Sequence, residues 1–518
     1  MNDRFGSIAS SANPRIPKTI SVRIDQDQVP PLDDSLECKS PKESHLDSSS
    51  HRPTGFTACS QQPTAAVMIS TSPAPPTRRH TAYLDGLRGF AALMVYWQHY
   101  QLYPRIGWTP DPNSIMESAY GYDDLYFFCA LPGIRTFFTS GHFAVAVFFV
   151  ISGYVLSTKP LSLIYAGEHE QSKFGDNVAS ALFRRWLRLF LPVIAISFLY
   201  MTSWHAFGGI WTQRPEHQST FRAELWTWYS EFKNYSFLFR SGDTGFRYNF
   251  PAWSIPFEFQ GSIIVYSALL AFSRCTRNAR LLSQVGLVVY FLYIVNGWFG
   301  AMFMAGMILC ELDLLARHNE LPRFLSRLEP YKTPIFYTLF SLSIYLSGVP
   351  SHNTMEIEVL RNSPGWYYLS FLKPEAVADY KWFYLFWAAI FLVSAIPRIW
   401  WLRSFFELPF NQFLGRVSFA LYLLHGPVLW ILGDRLYAAM GWFHQDHINN
   451  IPNWVNAFPI SDAGPLGLEL RFLAPHFLCF PLTLWLAEMG TRIFDEPSVK
   501  FAQWAYKKAL APPPVQIL

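Results

Sequence analysis

Arg88 and His99 stand eleven residues apart in an otherwise apolar and aromatic run, "LDGLRGFAALMVYWQHY" (residues 84–100). Eleven residues are close to three helical turns, so both side chains project from one face, about 16 Å apart along the axis. Alone, Arg88 would be an anchor at the membrane interface and His99 a core histidine bonded to a backbone carbonyl. Their shared face favours one cavity, with Arg88 near the cytosolic interface and His99 near mid-membrane.

Glu258 is another ionisable residue whose burial in a membrane costs free energy. It lies in the stretch "PAWSIPFEFQ" (residues 251–260). It lies about two turns, or about 9 Å, into an apolar run that enters from the outer side. Pro256 would loosen the backbone nearby. A carboxylate at that depth needs a partner or a proton. Because its height differs from that of His99 by only about 5 Å, the two residues are candidates for a general base and an orienting group.

Arginines cluster in a third stretch, "FRRWLRLFLP" (residues 183–192). Arg185 and Arg188 share a face at i, i+3, and Arg184 shares one with Arg188 at i, i+4. Guanidinium groups at the cytosolic mouth of a helix suit bidentate binding of phosphates. The plain alternative is membrane topology, since positive residues belong on that side.

Two further helices carry small or kinking residues beside polar ones. Ser152 and Gly153 lie in the middle of "GHFAVAVFFVISGYVLS" (residues 141–157), where such a pair permits a close helix contact or a kink. His425 lies mid-span before Gly426 and a proline. It is either a satisfied histidine at a kink or a residue of the site, and that stretch alone does not separate the two.

These residues need a membrane domain to position them, and the composition supplies one. The 518-residue chain is 51% hydrophobic and only 15% charged, against about 25% charged in soluble domains. Its net charge is +4, without a basic stripe, which argues against nucleic acid as a partner. We therefore expect an all-α fold, a polytopic transmembrane helix bundle. Ten segments have suitable length and hydropathy: 84–103, 141–158, 187–207, 252–272, 281–296, 298–315, 333–349, 382–397, 413–432 and 468–490.

Charged loops predict the orientation of this bundle. Ten spans with both termini in the cytosol place most loop arginines inside, as the positive-inside rule requires. Residues 1–80 are polar and Ser/Pro-rich, which predicts a disordered cytosolic tail; residues 81–500 form the membrane domain and 501–518 a short cytosolic tail. The outer side then receives Cys129, with no disulfide partner there, and the glycosylation motif Asn234-Tyr235-Ser236.

Taken together, the five stretches resemble the membrane-bound acyltransferase 3 family. The first matches its opening Leu-Asp-Gly-Leu-Arg-Gly, with a histidine eleven residues after the arginine. "FFVISGYVLS" resembles its Phe-Phe-x-x-Ser-Gly-Phe helix, and "RRWLRLFLP" its Arg-Arg-x-x-Arg-x-x-Pro element. "AWSIPFEFQ" resembles its Trp-Ser/Thr-Leu-x-x-Glu element, and "LGRVSFALYLLHGP" its Ser-x-x-Leu-Tyr-Leu-x-His-x-Pro. The resemblance covers residues 83 to about 500, in the family's order.

The resemblance implies an enzyme that moves an acyl group, acetyl or short-chain, from acyl-CoA to a hydroxyl of a small molecule or glycan. His99 would be the general base and Glu258 its orienting partner or an acceptor contact. Arg185, Arg188 and Arg88 would hold the donor phosphates, with acyl-CoA as a substrate and no tightly bound cofactor or metal. Ser152 and His425 complete the predicted substrate site. The resemblance leaves open whether a covalent acyl-histidine intermediate forms.

Some features depart from the family's bacterial members. The outer loop 104–140 is long, and no further soluble domain is expected after the last helix. Together with the polar N-terminal tail and the glycosylation motif, this favours a fungal enzyme of secondary metabolism, in an endomembrane (ER or Golgi) or the plasma membrane. The alternative is a proton-coupled transporter, which would also carry membrane His, Glu and Arg residues, although the two halves show no repeat.

Overall fold

The computed structural model describes residues 80–105, 112–167, 170–207, 218–239 and 245–510. Within these ranges the chain forms helices and no strand. The predicted N-terminal tail, except His80, lies outside the described residues. Helices of seven residues or more are α1 (Ala82–Leu102), α2 (Gly141–Tyr165), α3 (Gln171–Ala206), α4 (Phe221–Tyr235), α5 (Ile255–Phe272), α6 (Arg277–Val289), α7 (Trp298–Arg317), α8 (Lys332–Ser347), α9 (Lys381–Ala395), α10 (Trp400–Phe406), α11 (Pro409–Val428), α12 (His476–Gly490) and α13 (Glu496–Ala509).

Shorter pieces connect these helices. Single α-helical turns occupy Pro112–Glu117, Arg323–Ser326, Ile357–Asn362, Tyr367–Ser370, Asp434–Ala439, Gln445–Asn450 and Leu470–Leu473. The 3₁₀ helix Arg247–Ser254 leads directly into α5, and the π-helical turn Leu429–Gly433 continues α11. The described part of the C-terminal tail begins within α13, which packs on α3 through the rings of Tyr506 and Phe183.

All ten predicted segments are helical over most of their length, but fewer meet the criteria for a membrane span. Among the described residues, six helices are long and apolar enough, or seven if α9 and α10, bent by 100° at their junction, count as one broken span. The protein is thus an all-helical multi-pass membrane protein, and the count of ten is not confirmed. α1 is too polar to pass, while α6 and α8 have only 13 and 16 residues.

α2 forms the centre of the bundle, in contact with α1, α3, α5, α7 and α9. Its contact with α7 depends on glycines. A Cβ on Gly153 would lie 1.9 Å from the carbonyl oxygen of Phe303, and one on Gly306 would lie 2.0 Å from that of Val150. The predicted role of Gly153 in close helix packing is confirmed by this contact, which brings the two backbones together as small residues do in membrane bundles.

The opening motif forms a similar contact between α1 and α11. A Cβ on Gly89 would lie 2.3 Å from the backbone nitrogen of Gly415, and one on Gly415 would lie 2.3 Å from the carbonyl oxygen of Asp85. Across this contact the buried Arg88 donates a hydrogen bond to the carbonyl oxygen of Gly415. The same guanidinium lies 3.6 Å from the Asp85 carboxylate. The motif therefore joins α1 to α11.

Replacing Gly89 by alanine should lower the melting temperature of the detergent-purified protein. The added methyl group meets backbone atoms that cannot turn aside, and overpacking of this kind costs about 1–3 kcal/mol. Gly175 in α3 is the matched control, because a Cβ there meets nothing within 4 Å. Gly175→Ala should leave stability unchanged or raise it, since alanine is the better helix former by about 1 kcal/mol. Equal melting shifts for both variants would contradict the packing argument.

Candidate active site

His99 and His425 form a hydrogen-bonded pair at the same end of α1 and α11. The Nε2 atom of His425 lies 3.0 Å from the Nδ1 atom of His99, and the ring centroids are 4.8 Å apart. His99 occupies the last turn of α1, which ends at Leu102. The two histidines follow Gly89 and Gly415 by ten residues each. The two helices therefore run parallel and in register from the glycine contact to the histidine contact.

Backbone contacts fix which nitrogens of this pair carry protons. His99 Nδ1 is 3.0 Å from the carbonyl oxygen of Val95, and His425 Nδ1 is 3.2 Å from that of Leu421. A carbonyl oxygen only accepts, so each neutral ring carries its proton on Nδ1. His425 Nε2 then accepts from His99 Nδ1–H, which is shared with the Val95 carbonyl. His99 Nε2 keeps a free lone pair and has no hydrogen-bond partner among the described residues.

Glu258 lies in a second polar cluster, with Arg185 as its partner. The Arg185 guanidinium donates to Oε1 of Glu258 and, over 2.7 Å, to the hydroxyl oxygen of Ser262. Ser152 is a neighbour of the same carboxylate. Arg185 and Glu258 are both buried. The carboxylate sits in the first turn of α5, which follows directly on the 3₁₀ helix of residues 247–254.

The predicted pairing of His99 with Glu258 is therefore absent from the described residues. Neither a hydrogen bond nor an ion pair joins the two side chains, and each has the other partner given above. The physical reason is the desolvation of a carboxylate, which an arginine compensates better than a neutral imidazole does. The sequence showed both clusters but not how their members pair.

Arg247–Ser254 connects the two clusters. Its Asn249 side chain donates to the carbonyl oxygen of Leu423, over 3.1 Å. Pro251 lies against Gly426, directly after His425, since a Cβ on that glycine would be 3.3 Å from the proline ring. The 3₁₀ helix then continues into α5 and reaches Glu258. The histidine pair and the Arg185–Glu258 pair thus border one region of the bundle.

Aromatic rings form one wall of this region. The indole rings of Trp298 and Trp382 stack at 3.9 Å, and Trp253 and His142 approach Trp382 at 6.2 and 5.8 Å between ring centroids. All four side chains are buried. Sequence reasoning missed this wall, because its members come from four separate helices. The wall adds aromatic surface to a region whose polar groups come from the two clusters.

The arginines predicted at the donor phosphates occupy interior positions. Arg88 bonds Gly415, Arg185 bonds Glu258, and Arg188 is buried in α3 near Tyr266. α3 begins at Gln171, so Arg185 lies about 21 Å along the helix from its start. Arg88 and Arg185 thus contribute to packing and ion pairing within the chain. Their predicted contact with phosphates stays a prediction.

A second histidine cluster has the residue types of a metal site. The ligand atoms of Asp434, His444 and His447 lie within 4.8 Å of one another. However, His447 Nδ1 accepts a hydrogen bond from the backbone N–H of His444, over 3.1 Å, so its proton stays on Nε2, 2.9 Å from Asp434. A metal on Nε2 would have to displace that proton while Nδ1 is occupied. The contacts therefore favour a hydrogen-bonded cluster.

Fold and site together define a class: helical membrane proteins in which a histidine pair, half-buried at His99 and buried at His425, lies where two helices meet. The family model described as an acyltransferase domain matches residues 81–468 of this chain. The chain therefore belongs to the acyltransferase 3 family, as its motifs predict, and it is a transferase. No solved structure matches the chain.

Named relatives come from fungi. The O-acetyltransferase PaAT-1 of Phomopsis amygdali is 28% identical over 467 residues, covering 83% of this chain and 85% of the relative. Acyltransferase clz18 of Cochliobolus lunatus is 23% identical, covering 84% of this chain and 98% of its own length. Acyltransferase R4 of a Phoma species is 23% identical over 71% of this chain and 86% of its own.

The Arg185–Glu258 pair should be destabilising to break and nearly neutral to remove. Arg185→Met or Glu258→Leu leaves one buried charge alone, at a cost of about 3–5 kcal/mol, whereas the double variant leaves none. Melting temperatures of the four proteins form a double-mutant cycle that measures this coupling. The control is the half-exposed pair Arg416–Glu488, worth at most about 1 kcal/mol. A coupling no larger than that of the control pair would contradict the interior assignment of Arg185.

Proposed function

We propose that this protein transfers an acetyl or other short acyl group from acyl-CoA to a hydroxyl group, with His99 as the general base. The observation that carries the proposal is the Nε2 atom of His99, which has no partner in the described part of the chain, in a ring held on its other nitrogen by Val95 and His425. A general base needs a free lone pair and a fixed orientation. The family membership supports the acyl-transfer chemistry, and the name of the Phomopsis amygdali relative supports a hydroxyl acceptor.

The reaction follows from these positions. His99 Nε2 takes the proton of the acceptor hydroxyl as its oxygen attacks the thioester carbonyl carbon. The tetrahedral intermediate collapses, the carbon–sulfur bond breaks, and the CoA thiolate leaves. The thiolate recovers the proton from His99, which restores the neutral ring. As the His99 ring becomes positive, His425 Nε2 stabilises it by accepting from Nδ1–H.

Glu258 acts through Arg185 in this proposal. The ion pair joins α5 to α3 and fixes the start of α5, from which the 3₁₀ helix Arg247–Ser254 extends to His425. Ser152, beside Glu258, belongs to the same polar group. For the phosphates of the donor, Arg88, Arg185 and Arg188 remain the proposed contacts.

The acceptor in this proposal is a hydroxylated small molecule of fungal secondary metabolism. The aromatic wall of Trp253, Trp298 and Trp382 supports an apolar acceptor over a glycan, because it offers rings and few hydrogen-bonding groups. The proposed location is an endomembrane or the plasma membrane, with both termini in the cytosol.

His99→Ala should reduce the release of CoA from acetyl-CoA by 10²- to 10⁴-fold, the usual contribution of a general base. The assay uses membranes that contain equal amounts of each variant, with extract of the producing fungus as the source of acceptor. His318→Ala is the control, because His318 is exposed just after the end of α7. A His99→Ala protein with the activity of the His318→Ala protein would overturn the assignment of the base.

We propose that His425 positions His99 and does not bind substrate. The two roles predict different effects on kcat and KM. His425→Leu should lower kcat about 10- to 100-fold, as losing the outer partner of a functional histidine does in metal sites, with KM unchanged. His425→Gln should recover part of kcat, because its amide oxygen can accept from His99 Nδ1–H. A rise in KM with kcat unchanged would instead show that His425 binds a substrate.

A further inference from the structure

α4 is a short helix with three different faces. Its buried face carries Glu224, Trp228, Phe232 and Tyr235. A second face exposes large apolar side chains, with Trp226 68% and Tyr229 48% accessible and Leu225 beside them. A third face carries Thr227, Ser230 and Asn234. The helix thus has an apolar flank and a polar flank beside its contact with the protein.

Helical geometry separates the two flanks clearly. At about 100° per residue, Leu225 and Tyr229 are about 40° apart, whereas Tyr229 and Asn234 are about 140° apart. Arg222 and Lys233 project near Trp226, one at each end of the apolar flank. An apolar stripe bordered by aromatic and basic residues, opposite a polar stripe, is typical of a helix that lies in a membrane interface.

The length of α4 excludes a transmembrane orientation. Its 15 residues extend about 22 Å, less than the roughly 30 Å of the bilayer core. It packs beside α3, a candidate membrane span, through Trp228, whose ring centroid is 5.7 Å from that of Phe198. Phe198 and Leu199 of α3 are exposed and are candidates for contact with lipid. The apolar flank of α4 extends this lipid-facing surface.

We propose that α4 lies flat in the membrane interface, with Leu225, Trp226 and Tyr229 inserted among the lipids and Asn234 facing water. The occupant of the exposed apolar flank is thus the bilayer itself. Arg222 and Lys233 contact lipid phosphates at the two ends of the helix. Asn234, the predicted glycosylation site, lies on the aqueous flank, where a glycan is accommodated without leaving the interface.

α4 also forms hydrogen bonds to the segment next to the histidine pair. Tyr235 donates to the carbonyl oxygen of Ala252 over 2.5 Å, and Tyr248 donates to the Glu224 carboxylate. On the other side, Trp228 Nε1 donates to Ser197 over 3.0 Å. Because these bonds leave from the buried face, the apolar flank can insert in lipid without breaking any of them.

The test measures lipid contact at single sites of the full-length chain. Leu225→Cys, Tyr229→Cys and Asn234→Cys proteins are labelled with a maleimide fluorophore and reconstituted in nanodiscs that contain phosphatidylcholine spin-labelled near the headgroup. The parent chain gives the background from its own cysteines, of which Cys129, Cys310 and Cys479 are buried. A cooperative melting curve with a melting temperature close to that of the parent chain establishes that each variant is folded.

The proposal expects strong quenching of the fluorophore at positions 225 and 229, at least threefold greater than at position 234. Quenching by an aqueous paramagnetic ion should follow the opposite order. Equal lipid quenching at Tyr229 and Asn234, or none at Tyr229, would overturn the proposal. Since fluorescence is measured without substrate, the outcome does not depend on the proposed acyl transfer.

Discussion

The close contact between α1 and α11 is the constraint on which the site depends. Glycines at positions 89 and 415 let the two backbones touch, and Arg88 closes the contact by donating to Gly415. Ten residues later on both helices, His99 meets His425. Two straight helices fixed at one point and running parallel keep their register, so the glycine contact sets the distance between the two imidazole rings about 15 Å away. A side chain at either glycine would separate the histidines without touching them.

The same contact explains what the sequence could and could not predict. Periodicity and hydropathy located the helices, including α1, which is too polar to count among the candidate spans. The shared helix face of Arg88 and His99 was also readable, since it depends only on helix geometry. The pairing of His99 with His425 is a long-range contact that no local pattern contains. One signal did exist: the Gly-x₉-His spacing occurs in both helices, at residues 89–99 and 415–425.

Helix bounds were predicted less well than helix faces, for a local reason. The helix that carries Glu258 was assumed to start near residue 252, but the backbone is a 3₁₀ helix up to Ser254. The helix that carries Arg185 was assumed to start near residue 187, whereas α3 begins at Gln171. Arg185 and Glu258 are both buried and form an ion pair between α3 and α5. The cost of burying a single charge makes such a pairing a physical requirement.

The division of labour among the polar residues follows from what each still has to bind. Three of these residues have partners within the chain: Arg88, Arg185 and Glu258. Their contacts hold α1 against α11 and α3 against α5. Both ring nitrogens of His425 are hydrogen-bonded, Nδ1 to the carbonyl oxygen of Leu421 and Nε2 to His99. His99 differs, because one nitrogen is fixed and the other has no hydrogen-bond partner among the described residues. In the proposed mechanism this arrangement suits proton transfer, since the surrounding contacts orient the base before the substrate arrives.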